Sequence, residues 1–386
     1  MTRPGTTACP ACGADAIQDC VATPALPVLC NAFPAERSAA LVAPRAAMDL
    51  VSCRRCGHLF NRSFDPGLLR YDASYETSLH HSPQFRAWAA ELAATLARDL
   101  PRSGATIAEL GCGRGEFLML FAGAGRRCLG FDRSYDGRLP SHAGLQVLAE
   151  DYEPARHGPL HADLVICRHV LEHLADPLPL GLALRAAAAS HGRVYLEVPN
   201  GLWTMRDGGI WDLIYEHFGY FTPRSLAALA RRAGLAVRRV GETYGGQFLQ
   251  AELALDPAQH ADDGAPLDQS LPARFASSLR ELLSSWSRRL AQELDAGRRI
   301  AVWGAGSKGV TFLNALPRGA EIELVVDRNP QKRGRHVPGT GQRIVSPAEL
   351  ATRRPELVLV MNPLYVAEIA AELESLGVRC AVEAVS

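Results

Sequence analysis

The sequence predicts an α/β chain in which two doubly wound, mostly parallel sheets follow a small cysteine-rich lobe. Three observations lead to this fold class. Apolar runs of strand length alternate with helical patterns from about residue 105 to about residue 254, as a parallel sheet with crossover helices requires. A glycine-rich turn between a strand and a helix opens that region, and a second such turn begins after Arg299. Two Cys-x-x-Cys pairs precede both turns, the second pair ending at Cys56.

Length and charge limit the class of protein. The chain has 386 residues, enough for two or three domains that each bury a core. Lysine plus arginine equals aspartate plus glutamate at 41 each, so the charge favours neither a nucleic-acid nor a membrane surface. No apolar run reaches membrane-spanning length, and the first residues, MTRPGTTACPACG, lack a signal-peptide pattern. Ten cysteines without a secretory signal indicate a reducing compartment, and we therefore expect a cytoplasmic protein.

The cysteine pairs come first in the chain, and a glycine follows each of them. Such a glycine permits the tight turn that aims both thiolates at one ion, and four thiolates form the closed tetrahedral set of a structural zinc. Unliganded thiols or a redox pair are the alternatives. The sequence therefore predicts one structural Zn²⁺ in a lobe over residues 1–72 that has little core of its own. The expected ligands are Cys9, Cys12, Cys53 and Cys56.

An aromatic segment and a helix come next. Tyr71 and Tyr75 lie in a polar, aromatic loop ahead of the alternating region. This loop is placed to cover a ligand pocket, and plain packing of the two rings is the alternative. Ser82 followed by Pro83 indicates the start of a helix. The apolar residues that recur on one face of this helix are Phe85, Trp88, Leu92 and Leu96.

The alternating region begins with a strand that carries Glu109 and runs into a turn with three glycines. Glycines at this point let the backbone turn sharply and let a ligand approach main-chain N–H groups. The second strand ends in Asp132, an acceptor placed to bind two ribose hydroxyls, and a tight turn without a ligand is the alternative. The glycines are Gly111, Gly113 and Gly115, and an apolar helical pattern resumes at Phe117, Leu118, Leu120 and Phe121. The expected strands are 106–110, 127–131, 145–148, 163–167, 192–198, 235–240 and 247–254.

Polar residues follow the third and fourth strands, at the edge where open α/β sheets bind ligands. Asp151 follows the third strand, from which a carboxylate can meet an adenine amino group, and a solvated pair with Glu150 is the alternative. Arg168 and His169 follow the fourth strand and are expected to line the same pocket. His173, four residues further on, is expected to serve packing and hydrogen bonding.

The insertion after the fifth strand is the best candidate for catalysis. It begins near Asn200 and contains Tyr215, Glu216 and His217 in direct succession. A lone histidine is usually structural, whereas a histidine beside a carboxylate in an aromatic loop at this edge indicates a functional site.

A polar linker and a long helix, from about residue 271 to about residue 296, lead to the second glycine-rich turn. This turn reads Trp303-Gly-Ala-Gly-Ser-Lys-Gly309 and opens a βαβ region smaller than the first. The region can bind a nucleotide's phosphates through Ser307 and Lys308. A packing repeat or a dimerisation lobe is the alternative. Asp327 and Asn362 follow later strands of the same region.

The pattern E-x-G-x-G-x-G resembles motif I of class I S-adenosylmethionine methyltransferases, and the segment from Gln247 fits the antiparallel seventh strand of that fold. The order of cysteine pairs, methyltransferase core, Glu-His loop and second glycine-rich turn closely resembles the sugar C-methyltransferase family over essentially the whole chain. The resemblance implies a zinc-binding lobe over 1–72, a Rossmann-like methyltransferase domain over 73–255 and a C-terminal Rossmann-like domain over 256–386. It also implies S-adenosylmethionine and structural zinc as cofactors.

The resemblance implies roles for single residues. His217 stands where the family has its proposed base, with Glu216 beside it, and Tyr215 directly abuts Glu216 where the family often has one residue between them. The residues expected to bind the cofactor are Glu109, Gly111, Gly113, Gly115, Asp132, Asp151, Arg168 and His169. The residues expected to bind the substrate are Tyr71, Tyr75, Asn200, Ser307, Lys308, Asp327 and Asn362.

We therefore expect an S-adenosylmethionine-dependent C-methyltransferase, a monomer or homodimer, with a nucleotide-linked keto-deoxysugar of natural-product or surface-glycan biosynthesis as its substrate. Removal of a proton α to a carbonyl needs a base of near-neutral pKa and a group that stabilises the enolate. His217 suits the first role, and Tyr215, His169 or Asn200 the second. O- or N-methylation of another small metabolite is the alternative among enzymes. A non-catalytic scaffold is the alternative outside them.

Overall fold

The computed structural model describes residues 8–70, 75–76, 78–101, 103–123, 125–256, 258 and 267–385.

A small antiparallel sheet forms around the cysteine pairs. The elements of this lobe are β1 (Ile17–Ala22), β2 (Leu26–Pro27), α1 (Arg37–Leu41), β3 (Arg45–Ala46), β4 (Asp49–Cys53) and β5 (Leu59–Asn61). Strand β4 lies between β1 and β5, while β2 and β3 pair as a separate ribbon. The second cysteine pair therefore sits at the turn between β4 and β5.

A seven-stranded sheet forms the middle of the chain. Its order is β8-β7-β6-β9-β10-β13-β12, and only β13 runs antiparallel to its neighbours. All seven strands lie where the alternating pattern predicts them, so this part of the prediction is confirmed. The elements are α2 (Pro83–Ala97), β6 (Thr106–Leu110), β7 (Arg127–Phe131), β8 (Leu145–Leu148), α3 (Pro154–His157), β9 (Ala162–Arg168), α4 (Leu178–Ala187), β10 (Ala188–Pro199), α5 (Gly201–Arg206), β11 (Gly219–Tyr220), α6 (Pro223–Arg232), β12 (Ala236–Thr243) and β13 (Phe248–Ala254).

Both faces of this sheet are covered, as parallel strands require. Successive side chains of a strand point to opposite faces, so Ile107 packs in the cluster that contains α2, while Ala108 packs in the cluster that contains α4 and α6. The start of α2 is confirmed, because the Ser82 hydroxyl accepts a hydrogen bond from the Phe85 backbone N–H at 3.2 Å. The carboxyl ends of β6, β7, β9 and β10 consequently meet at one edge.

The prediction of a helix directly after the first glycine-rich turn is wrong. Only a short 3-10 helix, Leu118–Phe121, follows that turn. Leu118 and Phe121 are buried, but Leu120 is 43% exposed. The apolar spacing reflects real burial, but Gly123 and Gly125 adopt positive φ angles of 102° and 67° and end the helical conformation within one turn.

The carboxyl-terminal part forms a second, smaller sheet whose strands are all parallel. Its order is β16-β15-β14-β17-β18. The long helix and the second doubly wound sheet are thus confirmed. The elements are α7 (Leu271–Asp295), β14 (Ile300–Trp303), α8 (Ser307–Ala315), β15 (Leu324–Val326), β16 (Ile344–Val345), α9 (Leu350–Arg353), β17 (Leu357–Val360), α10 (Val366–Ser375) and β18 (Ala381–Ala384). Among the helices of the described ranges, none combines the length and the apolar character needed to cross a membrane.

The insertion after β10 joins the amino-terminal lobe to the middle sheet. Strand β11 of the insertion pairs antiparallel with β5 and becomes the fourth strand of the lobe's sheet. Side chains from three parts of the chain then share one apolar cluster, including Phe33 from the lobe, Trp211 from the insertion and Phe312 from α8. The lobe, the insertion and the carboxyl-terminal sheet are therefore packed on a common core.

Direct hydrogen bonds also link the carboxyl-terminal sheet to both other parts. The backbone N–H of Gly339 donates to the Ala40 carbonyl at 2.8 Å. On the other side, the side-chain amides of Gln247 and Asn362 exchange hydrogen bonds of 2.8 and 3.0 Å. The first contact holds the second sheet against the amino-terminal lobe, and the amide pair holds it against the hairpin of β12 and β13.

The pairing of β11 with β5 gives a stability prediction at Gly219. A Cβ atom at this position would lie 2.7 Å from the buried ring of His58, which is packed against Phe221 with ring centroids 4.5 Å apart. We expect Gly219→Ala to lower the free energy of unfolding by about 1–3 kcal/mol, because the ring has no room to move. Gly241→Ala is the matched control, since no described atom lies within 4 Å of its Cβ position in β12. Equal midpoints for both variants in urea denaturation would contradict the prediction.

Candidate active site

The first glycine-rich turn closes around an open space at the carboxyl edge of the sheet. A Cβ atom on Gly111 would lie 2.2 Å from the Val170 side chain, so only glycine fits there. Gly113 has a φ of 54° and no described atom within 4 Å of its Cβ position. A ligand can therefore approach the backbone at Gly113, as the sequence predicts.

Asp132 is fixed beside this turn. Its Oδ2 accepts a hydrogen bond from the Gly113 N–H at 2.7 Å, and its Oδ1 accepts bonds from the backbone N–H and hydroxyl of Ser134 at 2.8 and 2.6 Å. These donors hold the carboxylate in one orientation at the end of β7. A carboxylate in this position can accept hydrogen bonds from two vicinal hydroxyls.

Glu109 and Asp151 lie in contrasting surroundings. Burial raises the pKa of Glu109 to about 8; Arg168 opposes this rise, and Asp132 and Glu197 add to it. Glu109 is therefore largely protonated at neutral pH, and its Oε2 has no hydrogen-bond partner among the described residues. Asp151 forms an ion pair with Arg133 and is about half exposed. Asp151 is thus accessible to solvent, while Glu109 is buried at the end of β6.

A buried carboxylate holds Arg168 and His169. Glu197 is 1% exposed and accepts hydrogen bonds from Arg168 Nε and the Tyr195 hydroxyl, both at 2.9 Å. The guanidinium of Arg168 lies 4.0 Å from the centre of the Phe117 ring. Burial opposes ionisation of Glu197, but Arg168 and His169 outweigh it and lower its pKa to about 2.

His169 is a partly buried cation. Its backbone has a positive φ of 55°, and its ring nitrogens lie 3.1 Å from a Glu197 oxygen and 3.5 Å from a Glu172 oxygen. Burial lowers the pKa of His169, but the two carboxylates outweigh it and raise the pKa to about 9. The imidazole therefore carries a positive charge at neutral pH.

The Glu-His segment of the insertion is anchored by Glu216. Its side chain is fully buried, with Oε2 accepting from the Tyr75 hydroxyl at 2.5 Å and Oε1 accepting from the Cys30 N–H at 2.8 Å. Burial raises the pKa of Glu216, against the opposing effects of His173 and Tyr75. The backbone carbonyl of Glu216 accepts a hydrogen bond from His173 Nδ1 at 2.9 Å. Tyr75, predicted from the sequence to cover the pocket, thus meets the insertion directly.

His217 follows as a neutral, half-buried ring. Burial lowers its pKa well below the ordinary value, and the neighbouring His173 and His169 lower it further. Its Nδ1 is buried and has no hydrogen-bond partner in the part of the chain that the structure describes. The ring meets His173 edge to face, with 4.8 Å between centroids. Because Nδ1 is buried, Nε2 is the nitrogen that can meet a substrate.

Other residues expected at the site have their polar atoms engaged elsewhere. The Tyr215 hydroxyl accepts from the Asp65 N–H at 2.9 Å, under the amino-terminal lobe. Asn200 caps α5 through the Leu202 N–H at 2.9 Å and donates to the Gly246 carbonyl at 2.7 Å. Tyr71 lies outside the described residues.

The expected substrate residues of the second sheet lie around its own glycine-rich turn. Ser307 begins α8. Lys308 forms an ion pair of 2.7 Å with Asp212 of the insertion, and Asp327 accepts from the Ala305 N–H at 2.9 Å. Asn362 pairs with Gln247 as described above. Lys308 therefore connects the second sheet to the insertion, and Asn362 connects it to the hairpin of β12 and β13.

Glu172 and Glu197 have no role expected from the sequence. Both are buried side chains near the edge where β9 and β10 end. A signal was present for Glu197, since a glutamate inside an apolar strand is rarely buried unless it is paired, whereas Glu172 lies in the short 3-10 helix Leu171–His173 after β9. Without the fold, however, neither partner could be named.

The four cysteines of the amino-terminal lobe come together. The Sγ atoms of Cys9 and Cys56 are 3.7 Å apart, those of Cys12 and Cys53 are 3.6 Å apart, and all four lie within 4.8 Å of one another. Gly13 and Gly57, which follow the pairs, have φ angles of 76° and 74°. The turn role expected for both glycines is thus confirmed.

Comparison with known proteins agrees with the strand order and the glycine-rich turn. The family described as "Methyltransferase domain" matches residues 80–240. The fold and the site therefore define a class I S-adenosylmethionine-dependent methyltransferase. The family described as "C-methyltransferase C-terminal domain" matches residues 259–380. The chain is therefore an S-adenosylmethionine-dependent methyltransferase with a C-methyltransferase C-terminal domain, and the scaffold alternative is set aside.

Three known proteins are similar to parts of this chain. C-methyltransferase NovU of Streptomyces niveus is 27% identical over 351 residues, which cover 83% of this chain and 81% of NovU. A ubiquinone biosynthesis O-methyltransferase of Thiobacillus denitrificans is 28% identical over 165 residues, covering 37% of this chain and 70% of that protein. The solved structure of CalO1, a methyltransferase in calicheamicin biosynthesis in its SAH-bound form, is 26% identical. It covers 44% of this chain and 55% of that chain, with a TM-score of 0.34.

The position of Asp132 gives a binding prediction. Asp132→Ala should weaken S-adenosylmethionine binding by roughly 2–3 kcal/mol, because it removes charge-assisted hydrogen bonds to the ribose. Isothermal titration calorimetry measures this change directly. Asp99→Ala is the control, because Asp99 is 72% exposed and pairs with Arg193, outside the pocket described here. Equal affinities for both variants would place the cofactor elsewhere.

Proposed function

We propose that this enzyme methylates a carbon α to a carbonyl group, on a nucleotide-linked keto-deoxysugar of natural-product or surface-glycan biosynthesis. The observation that carries the proposal is the neutral ring of His217, held at the carboxyl edge of the sheet with a cationic His169 nearby. The C-methyltransferase C-terminal domain and the likeness to NovU support C-methylation. We further propose a cytoplasmic monomer or homodimer.

The reaction begins with proton removal. His217 Nε2 accepts the proton from the α-carbon, and the electron pair of that C–H bond moves into the enolate. A neutral imidazole is required at this step, and burial keeps His217 neutral; burial also moves the pKa of His217 below the near-neutral value expected for this base. When bound, S-adenosylmethionine would supply an electrophilic methyl group to the enolate carbon, with a neutral thioether as the by-product.

The enolate oxygen needs a donor that is already in place. Of the three donors expected from the sequence, Tyr215 and Asn200 have their polar atoms engaged elsewhere. The ring nitrogens of His169 also face carboxylates, those of Glu197 and Glu172, but His169 differs from the other two in carrying a positive charge at neutral pH, which can stabilise a developing anion through space. We assign the stabilising role to His169.

Glu216 orients His217 through the backbone. Its carboxylate binds the Tyr75 hydroxyl and the Cys30 N–H, while its carbonyl binds His173. These bonds fix the peptide that leads into His217. Tyr215 supports the same segment from the other side through Asp65.

The nucleotide end of the substrate is assigned to the turn between β14 and α8. Backbone N–H groups at the start of α8, together with the Ser307 hydroxyl, can donate hydrogen bonds to phosphate oxygens. Lys308 can share its charge between Asp212 and a phosphate. Asp327 and Asn362 shape the same edge through Ala305 and Gln247.

The four cysteines are assigned one structural zinc ion. Thiolate ligands at about 2.3 Å from a tetrahedral ion lie about 3.8 Å apart, close to the two sulfur–sulfur distances given above. All four sulfurs belong to the protein, so the ion has no open position for catalysis. Its role is to hold the lobe that carries Cys30 and packs on the Glu216 segment.

O-methylation of another small metabolite is the second candidate function. The likeness to O-methyltransferases of ubiquinone biosynthesis favours it, although that match spans only 37% of this chain. In this alternative His217 deprotonates a hydroxyl group. Labelled S-adenosylmethionine and a panel of nucleotide-linked keto-sugars distinguish the two, because only C-methylation produces a new carbon–carbon bond.

Zinc binding is tested by metal content. Elemental analysis of the freshly purified protein should find one zinc per chain, and Cys53→Ser should lose it together with the cooperative unfolding of the lobe. Cys380→Ser, outside the cluster, should keep the full zinc content. Zinc-free wild-type protein would refute the assignment.

The base is tested by His217→Ala. Turnover should fall by on the order of 10²–10⁴-fold while substrate and cofactor still bind, because general-base catalysis is lost. The wild-type enzyme should also exchange the substrate α-proton with deuterated water when S-adenosylhomocysteine occupies the cofactor site, and the variant should not. His191→Ala, a 75% exposed histidine, is the control. Near-normal turnover of folded His217→Ala would remove His217 from the mechanism.

A further inference from the structure

Two polar atoms, one in the proposed base and one in a neighbouring side chain, are buried without a hydrogen-bond partner among the described residues. They are Glu172 Oε2 and His217 Nδ1. Glu172 is 1% exposed, and one potential ligand atom from each of Glu172, His173 and His217 lies within 4.8 Å of the other two. Unsatisfied buried polar atoms are rare and costly, and a carboxylate more so. Two of them in one small cluster indicate that they act on each other during function.

Glu216 cannot supply the carboxylate that His217 lacks. Its two oxygens already accept hydrogen bonds from Tyr75 and from the backbone of Cys30. His173 cannot replace a carboxylate either, because its Nδ1 donates to the Glu216 carbonyl and an imidazole carries no negative charge. Glu172 is therefore the nearby carboxylate with an oxygen left for His217.

We infer that Glu172 is the positioning residue of the base: its carboxylate accepts the His217 Nδ1–H and offsets the positive charge that His217 gains from the substrate. This inference rests on the proposed role of His217. A rotation of either side chain or one bridging water closes the remaining gap. The Nδ1–H bond directs Nε2 toward the substrate, which is the geometry by which a carboxylate fixes the tautomer of a catalytic histidine.

The surrounding charges favour this arrangement over a bound metal ion. His169, cationic at neutral pH, lies 3.5 Å from the Glu172 Oε1 atom. A divalent cation held by Glu172, His173 and His217 would face that imidazolium at close range. The same imidazolium is already the counter-ion of Glu172 through Oε1, while Oε2 has no hydrogen-bond partner among the described residues.

Nitrogen NMR of histidine-labelled protein tests the inference without a substrate. The wild-type protein should show His217, assigned by comparison with His217→Ala, as the Nδ1–H tautomer. Glu172→Ala should return His217 to the Nε2–H form that a free imidazole prefers, and Glu172→Gln should weaken the preference for Nδ1–H. Glu281→Gln, on the exposed side of α7, is the matched control and should change nothing. An Nε2–H tautomer in the wild-type protein, or one indifferent to Glu172, overturns the inference.

Kinetics provide the second readout. With the keto-sugar of the panel that turns over fastest, Glu172→Gln should lower kcat on the order of 10²-fold at unchanged KM and slow α-proton exchange in parallel. Normal kcat in Glu172→Gln together with a large loss in His217→Ala would overturn this inference and leave the proposed function intact. A metal ion other than the zinc, present in the purified protein and absent from Glu172→Gln, would also overturn it in favour of a metal site.

Discussion

The buried carboxylate of Glu216 joins three segments that are far apart in the chain. It binds the backbone at Cys30 and the hydroxyl of Tyr75, and its own carbonyl binds His173. A fully buried carboxylate without such donors would cost several kcal/mol, so the insertion can take this position only when the amino-terminal lobe is in place. The lobe is therefore a support for the residue next in sequence, His217. The pairing of β11 with β5 extends that support along the backbone.

The carboxyl edge of the large sheet gathers charges that compensate one another. Glu197 lies between Arg168 and His169, and Glu172 lies on the other side of His169. Glu109 lies within the influence of Arg168 and Glu197, but burial outweighs Arg168 and favours the neutral form of Glu109. The result is a pocket whose ionised groups are already paired before a ligand arrives. Fixed charges of this kind need no reorganisation at the moment of reaction, which is what electrostatic catalysis requires.

The fold was predictable because it depends on local and periodic features. These features are the alternation of strands and helices, the glycines that need positive φ angles, and the paired cysteines. Each depends on a few neighbouring residues, and each occurs in the structure as expected. The prediction of a helix after Gly115 was wrong, because apolar spacing indicates which residues are buried but not how far a helix extends. The positive φ angle of Gly123 ends the helical conformation.

The site was less predictable, because the direction of a side chain depends on partners distant in sequence. Tyr215 and His217 are two residues apart, yet the Tyr215 hydroxyl lies at Asp65 under the lobe and the His217 ring lies against His173. Asn200 was expected to face the substrate, but its side chain instead caps the amino-terminal end of α5. Glu172 and Glu197 required knowledge of which strands are neighbours. The sequence was thus sufficient to locate the carboxyl edge of the sheet and the Glu-His loop. The side-chain partners at both could be identified only from the tertiary structure.

The two glycine-rich turns show how the same local motif can differ in function. In both, an aspartate at the end of the second strand accepts a hydrogen bond from the turn, at Gly113 in one sheet and at Ala305 in the other. Beside Gly113 the space is open. Beside Ala305 the buried ammonium of Lys332 donates to the Ala305 carbonyl at 3.1 Å and lies 3.3 Å from Asp327. The second aspartate therefore has a resident cation where Asp132 has room for ligand hydroxyls. This difference explains how one chain can carry two Rossmann-like sheets and still direct S-adenosylmethionine to the first.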